Sequence, residues 1–138
     1  MQVDGKKIWI TGASSGIGEA LAVQLAAHGA KLILSSRNEA ELQRVKSLCT
    51  GGGHQVIPLD LMDYRRLEVT AAGIWDQFGP IDILINNAGI SQRYLALESS
   101  LELDEKIMAV NFFGTIAITR PILKKMAARG SGHIVTIS

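Results

Sequence analysis

Apolar residues along this chain fall into two alternating patterns: short continuous runs, and longer stretches in which apolar positions recur every three or four residues. A short run bounded by turn residues predicts a buried strand, whereas the longer spacing predicts an amphipathic helix. Strands are predicted at residues 7–11, 31–35, 55–58, 81–86 and 133–137, and four helical patterns separate them. This alternation predicts an α/β fold with a doubly wound parallel sheet, in one domain that spans residues 1–138.

Two helix starts are signalled by an oxygen-bearing side chain with an acidic residue three positions later. Asn38 precedes Glu41 in this way, and Ser99 precedes Glu102. One helical stretch between them carries a stripe of apolar residues that we expect to face the core, namely Leu67, Ala71, Ile74 and Phe78.

Three glycines, Gly12, Gly16 and Gly18, directly follow the first predicted strand and open the first predicted helix. Glycine lets the backbone turn tightly and approach a ligand closely, and the amides in a helix's first turn point toward a bound anion. The apolar residues that continue this helix at regular spacing are Ile17, Leu21 and Leu25. The glycines therefore have the strand-to-helix context of a phosphate site, and a plain tight turn is the alternative.

A second motif, Asn86-Asn87-Ala88-Gly89, ends the fourth predicted strand. Asp60 follows the third strand, and Asn111 lies inside a long helical pattern. Together with Thr11-Gly12-x-x-x-Gly16-Ile17-Gly18, these motifs resemble the classical short-chain dehydrogenase/reductase family, in order and over nearly the whole chain. The resemblance implies a Rossmann-like fold that binds a nicotinamide dinucleotide.

The resemblance also implies a role for individual residues. The Asp60 carboxylate would accept a hydrogen bond from the adenine amino group, with Leu61 packed nearby, and Asn87 would brace the sheet and the cofactor loop. A helix cap is the alternative for Asp60, although Asp63 stands in the better position for a cap. The full set of expected cofactor-binding residues is Gly12, Ser14, Ser15, Gly16, Ile17, Gly18, Ser36, Arg37, Asp60, Leu61, Asn87, Ala88, Gly89 and Val110.

Arg37 points to NADP(H) rather than NAD(H) as the cofactor. In this fold the end of the second strand meets the adenosine ribose, where an acidic residue favours NAD and a cation pairs with the 2′-phosphate of NADP. Ser36 is neutral at the position that resembles the family's acid, and Arg37 beside it offers a planar guanidinium. Ser15 weakens the prediction, because many NADP-preferring relatives have a basic residue there. A solvated loop cation beside Asn38 is the alternative.

The expected catalytic residues within this sequence are Asn111 and Ser138. In relatives the matching Asn opens its helix and holds a water in the proton relay; a packing notch shared with Gly114 is the alternative. Ser138 resembles the residue before the family's catalytic serine.

The family's Tyr-x-x-x-Lys pair is not found, because Glu68 follows Tyr64 and Glu98 follows Tyr94 at that spacing. We therefore expect the amino-terminal, cofactor-binding portion of an NADP-dependent oxidoreductase, with the carboxyl-terminal part of the fold missing. Its parent would act on a ketone or aldehyde, or on the corresponding alcohol. The alternative from another class is a catalytically silent nucleotide-binding sensor or scaffold.

The composition of the chain limits the classes of partner that we expect it to bind. Fourteen basic and thirteen acidic residues give a net charge of +1, which supplies no electrostatic footprint for nucleic acid. We expect a small-molecule substrate, no transmembrane segment and a homo-oligomeric parent. Cys49, the only cysteine, should pack at a helix end, and a cytoplasmic location fits it. The three histidines are not spaced as metal ligands, so no metal site is expected.

Overall fold

The computed structural model describes residues 2–138 and contains one five-stranded sheet flanked by helices. The strands are β1 (Lys7–Thr11), β2 (Lys31–Ser35), β3 (Gln55–Val56), β4 (Ile83–Asn86) and β5 (His133–Thr136). The helices are α1 (Gly16–Ala27), α2 (Glu39–Leu48), α3 (Tyr64–Phe78), α4 (Leu101–Met108) and α5 (Thr115–Arg129), and a π-helical segment, Ala109–Gly114, joins the last two. The strand order is β3-β2-β1-β4-β5 and every pairing is parallel, so the predicted Rossmann-like α/β fold is confirmed.

The sheet is covered on both faces because successive strand residues point to opposite sides. Ile8 and Ile10 of β1 pack with residues of α1 and α2 on one face. Trp9, between them, packs on the other face with residues of α3 and α5. All three side chains are fully buried, which places β1 at the centre of the molecule.

Three predicted strand boundaries were too generous. β3 covers only two residues, although beyond it the amides of Ile57 and Leu59 still donate to the carbonyl oxygens of Leu34 and Ser36, both at 2.9 Å. β4 begins at Ile83 rather than residue 81, since the Asp82 carboxylate accepts the hydrogen bond from the Lys7 amide at 2.8 Å. β5 ends at Thr136, which pairs with the last residue of β4.

One of the two predicted helix caps is confirmed. The Asn38 side chain accepts a hydrogen bond from the Glu41 amide at 3.1 Å, which satisfies a free donor in the first turn of α2. The prediction for Ser99 was wrong by one residue. Ser100 caps α4 by accepting from the Leu103 amide at 3.2 Å, while the Ser99 hydroxyl donates to the Asp104 carboxylate.

The buried side of α1 also differs from the prediction. Its buried residues are Gly18, Ala22 and Ala26, and Ile17 is 59% exposed. Small side chains on this face let α1 lie close to the sheet, so the larger Leu21 and Leu25 flank the contact and are only partly buried. In α3 the predicted stripe is confirmed, since Leu67, Ala71 and Ile74 are buried and Phe78 packs against them. Cys49 is buried at the end of α2, and burial raises the pKa of its thiol.

The continuous helical run Leu101–Arg129 is long and apolar enough to cross a membrane, judged by length and composition alone. A core helix of a soluble protein passes the same test, so this is weak evidence for a membrane span. Four residues of its α5 part are buried beside α3 and the sheet, namely Ala117, Ile118, Ile122 and Met126.

Asp82 fastens the end of the sheet opposite the ends of β1 and β4 that carry the motifs. Its carboxylate accepts from the Lys7 amide and from the Arg129 guanidinium, the latter at 2.9 Å. Burial alone would raise the pKa of Asp82, but these hydrogen bonds and the charges of Arg129 and Lys6 outweigh it and lower the pKa. The folded chain therefore holds Asp82 ionised at a pH where the unfolded chain begins to protonate it.

Asp82→Asn is expected to lower the free energy of unfolding at pH 7 by about 1–3 kcal/mol. The Asn side chain is neutral and has a single acceptor oxygen, so it cannot replace both carboxylate oxygens that accept from Lys7 and Arg129. The contribution of Asp82 should be fully present above the unfolded pKa of about 3.9 and should disappear as pH falls through the lower folded pKa. Denaturant titrations from pH 7 to pH 2 measure this difference. Asp76→Asn, which breaks only the exposed pair with Lys125, is the control and should change stability little. An Asp82→Asn deficit that stays constant with pH would contradict this account.

Candidate functional site

A cleft of about 450 Å³ opens at the carboxyl ends of β1, β2 and β4. This is the edge of a doubly wound sheet at which ligands bind, beside the point where the strand order reverses. Twelve of the residues expected at a cofactor site line the cleft: Gly12, Ser14, Ser15, Ile17, Ser36, Arg37, Asp60, Leu61, Asn87, Ala88, Gly89 and Val110.

The glycine-rich turn forms one wall of the cleft. Gly12 has a φ of +66°, a conformation that other residues rarely adopt. A Cβ on Gly12 would also lie 2.8 Å from the Ala88 Cα, so the turn and the segment after β4 touch through backbone atoms. A side chain at position 12 would therefore separate the two motifs.

Gly18 lies under the turn and is not among the residues that line the cleft. A Cβ there would overlap the Gly12 carbonyl oxygen and would lie 2.6 Å from Asn87 Nδ2. Its lack of a side chain thus lets α1 pack directly against the turn. Gly16, the first residue of α1, is exposed and also does not line the cleft.

The first turn of α1 offers free donors to a ligand. Within residues 2–138, the backbone amides of Ser15, Gly16 and Ile17 have no hydrogen-bond partner. Such amides at a helix N-terminus, together with the helix dipole, bind an anion such as a phosphate. The turn therefore fits the pyrophosphate of a dinucleotide.

Asn87 connects this turn to the sheet. Its Nδ2 donates to the carbonyl oxygens of Thr11 and Gly12, at 3.2 and 3.1 Å. The Thr11 hydroxyl accepts from the amides of Asn87 and Ala88, both at 3.1 Å, and donates to the Ile85 carbonyl. These bonds fix the ends of β1 and β4 relative to each other.

Asp60 and Leu61 form the wall after β3. Asp60 Oδ1 accepts from the Met62 amide at 2.9 Å, which fixes the carboxylate in a local turn at the rim of the cleft. Asp63 occupies the capping position of α3 but makes no capping hydrogen bond, and it pairs instead with Arg66 at 3.6 Å. Asp63 therefore occupies the predicted capping position, but the hydrogen bond expected of a cap is not formed.

Arg37 lies at the mouth of the cleft, next to Ser36 at the end of β2. Its side chain is exposed, and among the described residues it has no ion-pair partner. The Ser36 hydroxyl accepts from the Asn38 amide at 3.3 Å. This local hydrogen bond joins the residues on either side of Arg37.

Asn111 lies in the π-helical segment, where the helical repeat is interrupted. Its Oδ1 accepts from the Ile90 amide at 2.8 Å, and its Nδ2 donates to the Ile90 carbonyl at 2.7 Å. The side chain thereby holds the loop after β4 against the helix. The packing notch is present as well, because a Cβ on Gly114 would lie 2.6 Å from the Leu61 carbonyl oxygen.

Ser138 is exposed and follows β5, two residues beyond Thr136. Neither Ser138 nor Asn111 lines the cleft. The Asn111 side chain nevertheless lies beside the expected cofactor-binding residues, 3.4 Å from the position of a Cβ on Gly89.

Four residues that line the cleft were absent from the expected site: Asn38, Leu59, Ile90 and Lys106. Lys106 precedes Val110 by four residues, and this spacing on one helical face is a signal that could have located it. Ile90 reaches the cleft because Asn111 holds its backbone, a contact that no local pattern reveals.

His54 serves a structural role. His54 is buried, where Nδ1 accepts from the Leu32 amide at 3.2 Å and the other ring nitrogen lies 2.9 Å from the Thr50 carbonyl oxygen. Because Nδ1 accepts here, Nε2 is the ring nitrogen that donates to the Thr50 carbonyl. Between residues 2 and 138, no cluster of three or more His, Cys, Asp or Glu residues could hold a metal ion.

Residues 6–138 match the family model described as short chain dehydrogenase. The chain belongs to this family. Human dehydrogenase/reductase SDR family member 7 is 44% identical over 137 residues, which cover 95% of this chain and 40% of that protein. The chain thus spans less than half the length of this curated relative of the short chain dehydrogenase family.

Solved structures of short-chain dehydrogenases superpose on the whole fold. A metagenomic short-chain oxidoreductase in complex with NADP has a TM-score of 0.91 and 30% identity, covering 100% of this chain and 64% of its own. A short-chain dehydrogenase/reductase from Burkholderia phymatum in complex with NAD has a TM-score of 0.88 and 30% identity, covering 99% of this chain and 50% of its own. The family binds nicotinamide cofactors, and both NAD and NADP occur among these neighbours.

Gly18→Val and Gly89→Val should differ in their effect on stability. A side chain at position 18 meets backbone and Asn87, and such overpacking should cost about 1–3 kcal/mol together with cofactor binding. A Cβ on Gly89 meets only the Asn111 side chain, at 3.4 Å, so this variant should fold normally and lose binding because the added bulk enters the cleft. Thermal unfolding and NADPH titration of both variants measure the difference. Normal NADPH affinity in a folded Gly89→Val variant would exclude Gly89 from the binding site.

Proposed function

We propose that this chain forms the NADP(H)-binding part of a short-chain oxidoreductase that interconverts a small-molecule ketone or aldehyde and its alcohol. The observation that carries the proposal is the position of Arg37, which lies just after β2 beside the neutral residue Ser36. Its guanidinium has no ion-pair partner among residues 2–138. A carboxylate at that position would repel the 2′-phosphate of NADP, whereas a guanidinium forms charge-assisted hydrogen bonds with it.

The charges around the cleft support this preference. Arg44, the next arginine along the chain, is held by the carboxylates of Glu19 and Glu41, both at 2.8 Å. Arg37 has no such partner among residues 2–138 and can turn toward a ligand. Both NADP and NAD complexes occur among the solved relatives, so the argument for NADP rests on this chain's own residues.

The remaining walls fit the other parts of the cofactor. The free amides of Ser15, Gly16 and Ile17 would hold the pyrophosphate, and Asp60 and Leu61 would receive the adenine. Ala88 and Gly89 would lie beside the nicotinamide ribose, on the segment fixed by Asn87. When bound, the nicotinamide ring supplies the hydride donor or acceptor of the reaction.

Within this chain Asn111 would act by orienting the loop after β4 through its two bonds to Ile90. We also propose that the chain has no nucleic-acid partner, since its net charge is only +1. A cytoplasmic location and a homo-oligomeric parent protein are further parts of this proposal.

Arg37→Ala should weaken NADPH binding roughly ten- to a hundredfold, or about 1.5–3 kcal/mol, because a charge-assisted contact to the 2′-phosphate is lost. NADH, which lacks that phosphate, should bind the variant and the wild type equally. Calorimetric titration of both cofactors measures the effect, and Arg66→Ala is a matched control on the exposed side of α3. An unchanged ratio of NADPH to NADH affinity would remove Arg37 from the site.

Residues 1–138 by themselves should bind NADPH without reducing a carbonyl. At neutral pH a phenol needs a nearby cation to act as an acid or base, and here Glu68 and Glu98 occupy the position four residues after each tyrosine. NADPH consumption with a panel of ketones and aldehydes, beside a direct binding measurement, tests this. Turnover by this polypeptide would show that other residues carry the proton transfer.

A further inference from the structure

Arg44 lies on α2, outside the cleft, and its guanidinium contacts three separate parts of the structure. Two of its nitrogens bind the Glu19 carboxylate of α1, at 2.8 and 3.0 Å. Its Nε binds Glu41 on its own helix, at 2.8 Å. Its Nη2 also donates to the Ser14 carbonyl oxygen, at 3.3 Å, in the middle of the glycine-rich turn.

The bond to Ser14 determines the direction of a neighbouring amide. The peptide bond between Ser14 and Ser15 is trans and planar, so its carbonyl oxygen and its N–H point in opposite directions. Arg44 draws the Ser14 oxygen toward α2, and the Ser15 N–H is thereby turned the other way. That N–H has no protein partner within residues 2–138, and Ser14 and Ser15 both line the cleft.

Little else fixes this peptide group. The Ser15 side chain makes no capping hydrogen bond to α1, and Gly16 beside it has a φ of +55° with no atom within 4 Å of the position a Cβ would take. Within residues 2–138, the bond from Arg44 is therefore the side-chain contact that holds the Ser14 carbonyl oxygen. The two hydrogen bonds to the Glu19 carboxylate keep the Arg44 guanidinium beside the turn, and they lower the pKa of Glu19.

We infer that Arg44 is a positioning residue for cofactor binding, which orients the Ser14–Ser15 peptide group so that the Ser15 amide faces the bound pyrophosphate. The inference rests on the proposed function, since it assigns the pyrophosphate to this turn. It also links the two phosphate-binding regions of the cleft, because α2 begins directly after Arg37 and Asn38.

The test compares ADP, which carries a diphosphate, with adenosine, which does not. Arg44→Met should weaken ADP and NADPH binding roughly five- to twentyfold through loss of one oriented charge-assisted contact, while adenosine affinity stays unchanged. A merely structural role would weaken both ligands by the same factor. Glu41→Gln removes a contact of Arg44 that does not reach the turn, and it should leave all three affinities at the wild-type value.

A double variant, Glu19→Gln with Arg44→Met, separates orientation from charge. If Arg44 acted only by neutralising Glu19 near the phosphates, removing both charges would restore ADP binding; we expect the loss to persist. Arg44→Lys keeps the positive charge but lacks the branched guanidinium. It should fold even if Arg44→Met does not, and it should show the same selective loss of ADP and NADPH affinity.

Calorimetry for ADP and NADPH and NMR titration for adenosine give the affinities, with circular dichroism as the check on folding. Wild-type ADP affinity in Arg44→Met, equal losses for ADP and adenosine, or recovery in the double variant would each overturn the role of Arg44 alone. Failure of the wild-type chain to bind ADP and NADPH would overturn the proposed function and the role of Arg44 with it.

Discussion

The hydrogen bonds between Thr11, Gly12 and Asn87 hold the site together. Thr11 ends the central strand, and its buried hydroxyl uses one donor and two acceptor positions on β4 and the segment that follows it. The Asn87 side chain returns two hydrogen bonds to the carbonyl groups of Thr11 and Gly12. Buried polar groups are stable only when they are paired in this way, so the two motifs fix each other's conformation.

These bonds lie where the strand order changes direction. β1 pairs with β2 on one side and with β4 on the other, and the helices that follow β1 and β4 leave the sheet on opposite faces. A crevice forms at this point in doubly wound sheets. The cleft therefore follows from the topology, and the glycines determine how closely a ligand can approach its floor.

Sequence patterns located the strands where apolar runs end at turn residues. The limits of β1 and β2 were predicted to the residue, because both runs are continuous and buried on both faces. The start of β4 depends on the Asp82 carboxylate, which changes hydrogen bonding without changing hydropathy. The buried face of α1 was misjudged because close packing there favours glycine and alanine over larger apolar residues.

Most of the cleft was also predictable, since its residues follow strand ends in sequence. Ile90 was missed because Asn111, which is distant in sequence, holds its backbone at the cleft. Lys106 was missed although its spacing from Val110 places both residues on one helical face. The π-helical geometry at residues Ala109–Gly114 was not predictable in detail, although Asn111 and Gly114 mark it as an unusual stretch of helix.

The sheet order has a consequence for how the chain assembles during synthesis. β1 and β2 are close in sequence and can pair early, but the other side of β1 waits for β4, whose Ile83 pairs with Ile8. Contacts over such sequence separations form slowly, because a long loop must close first. The glycine-rich turn, which is synthesised before β4, therefore has no fixed shape until Asn87 has followed it.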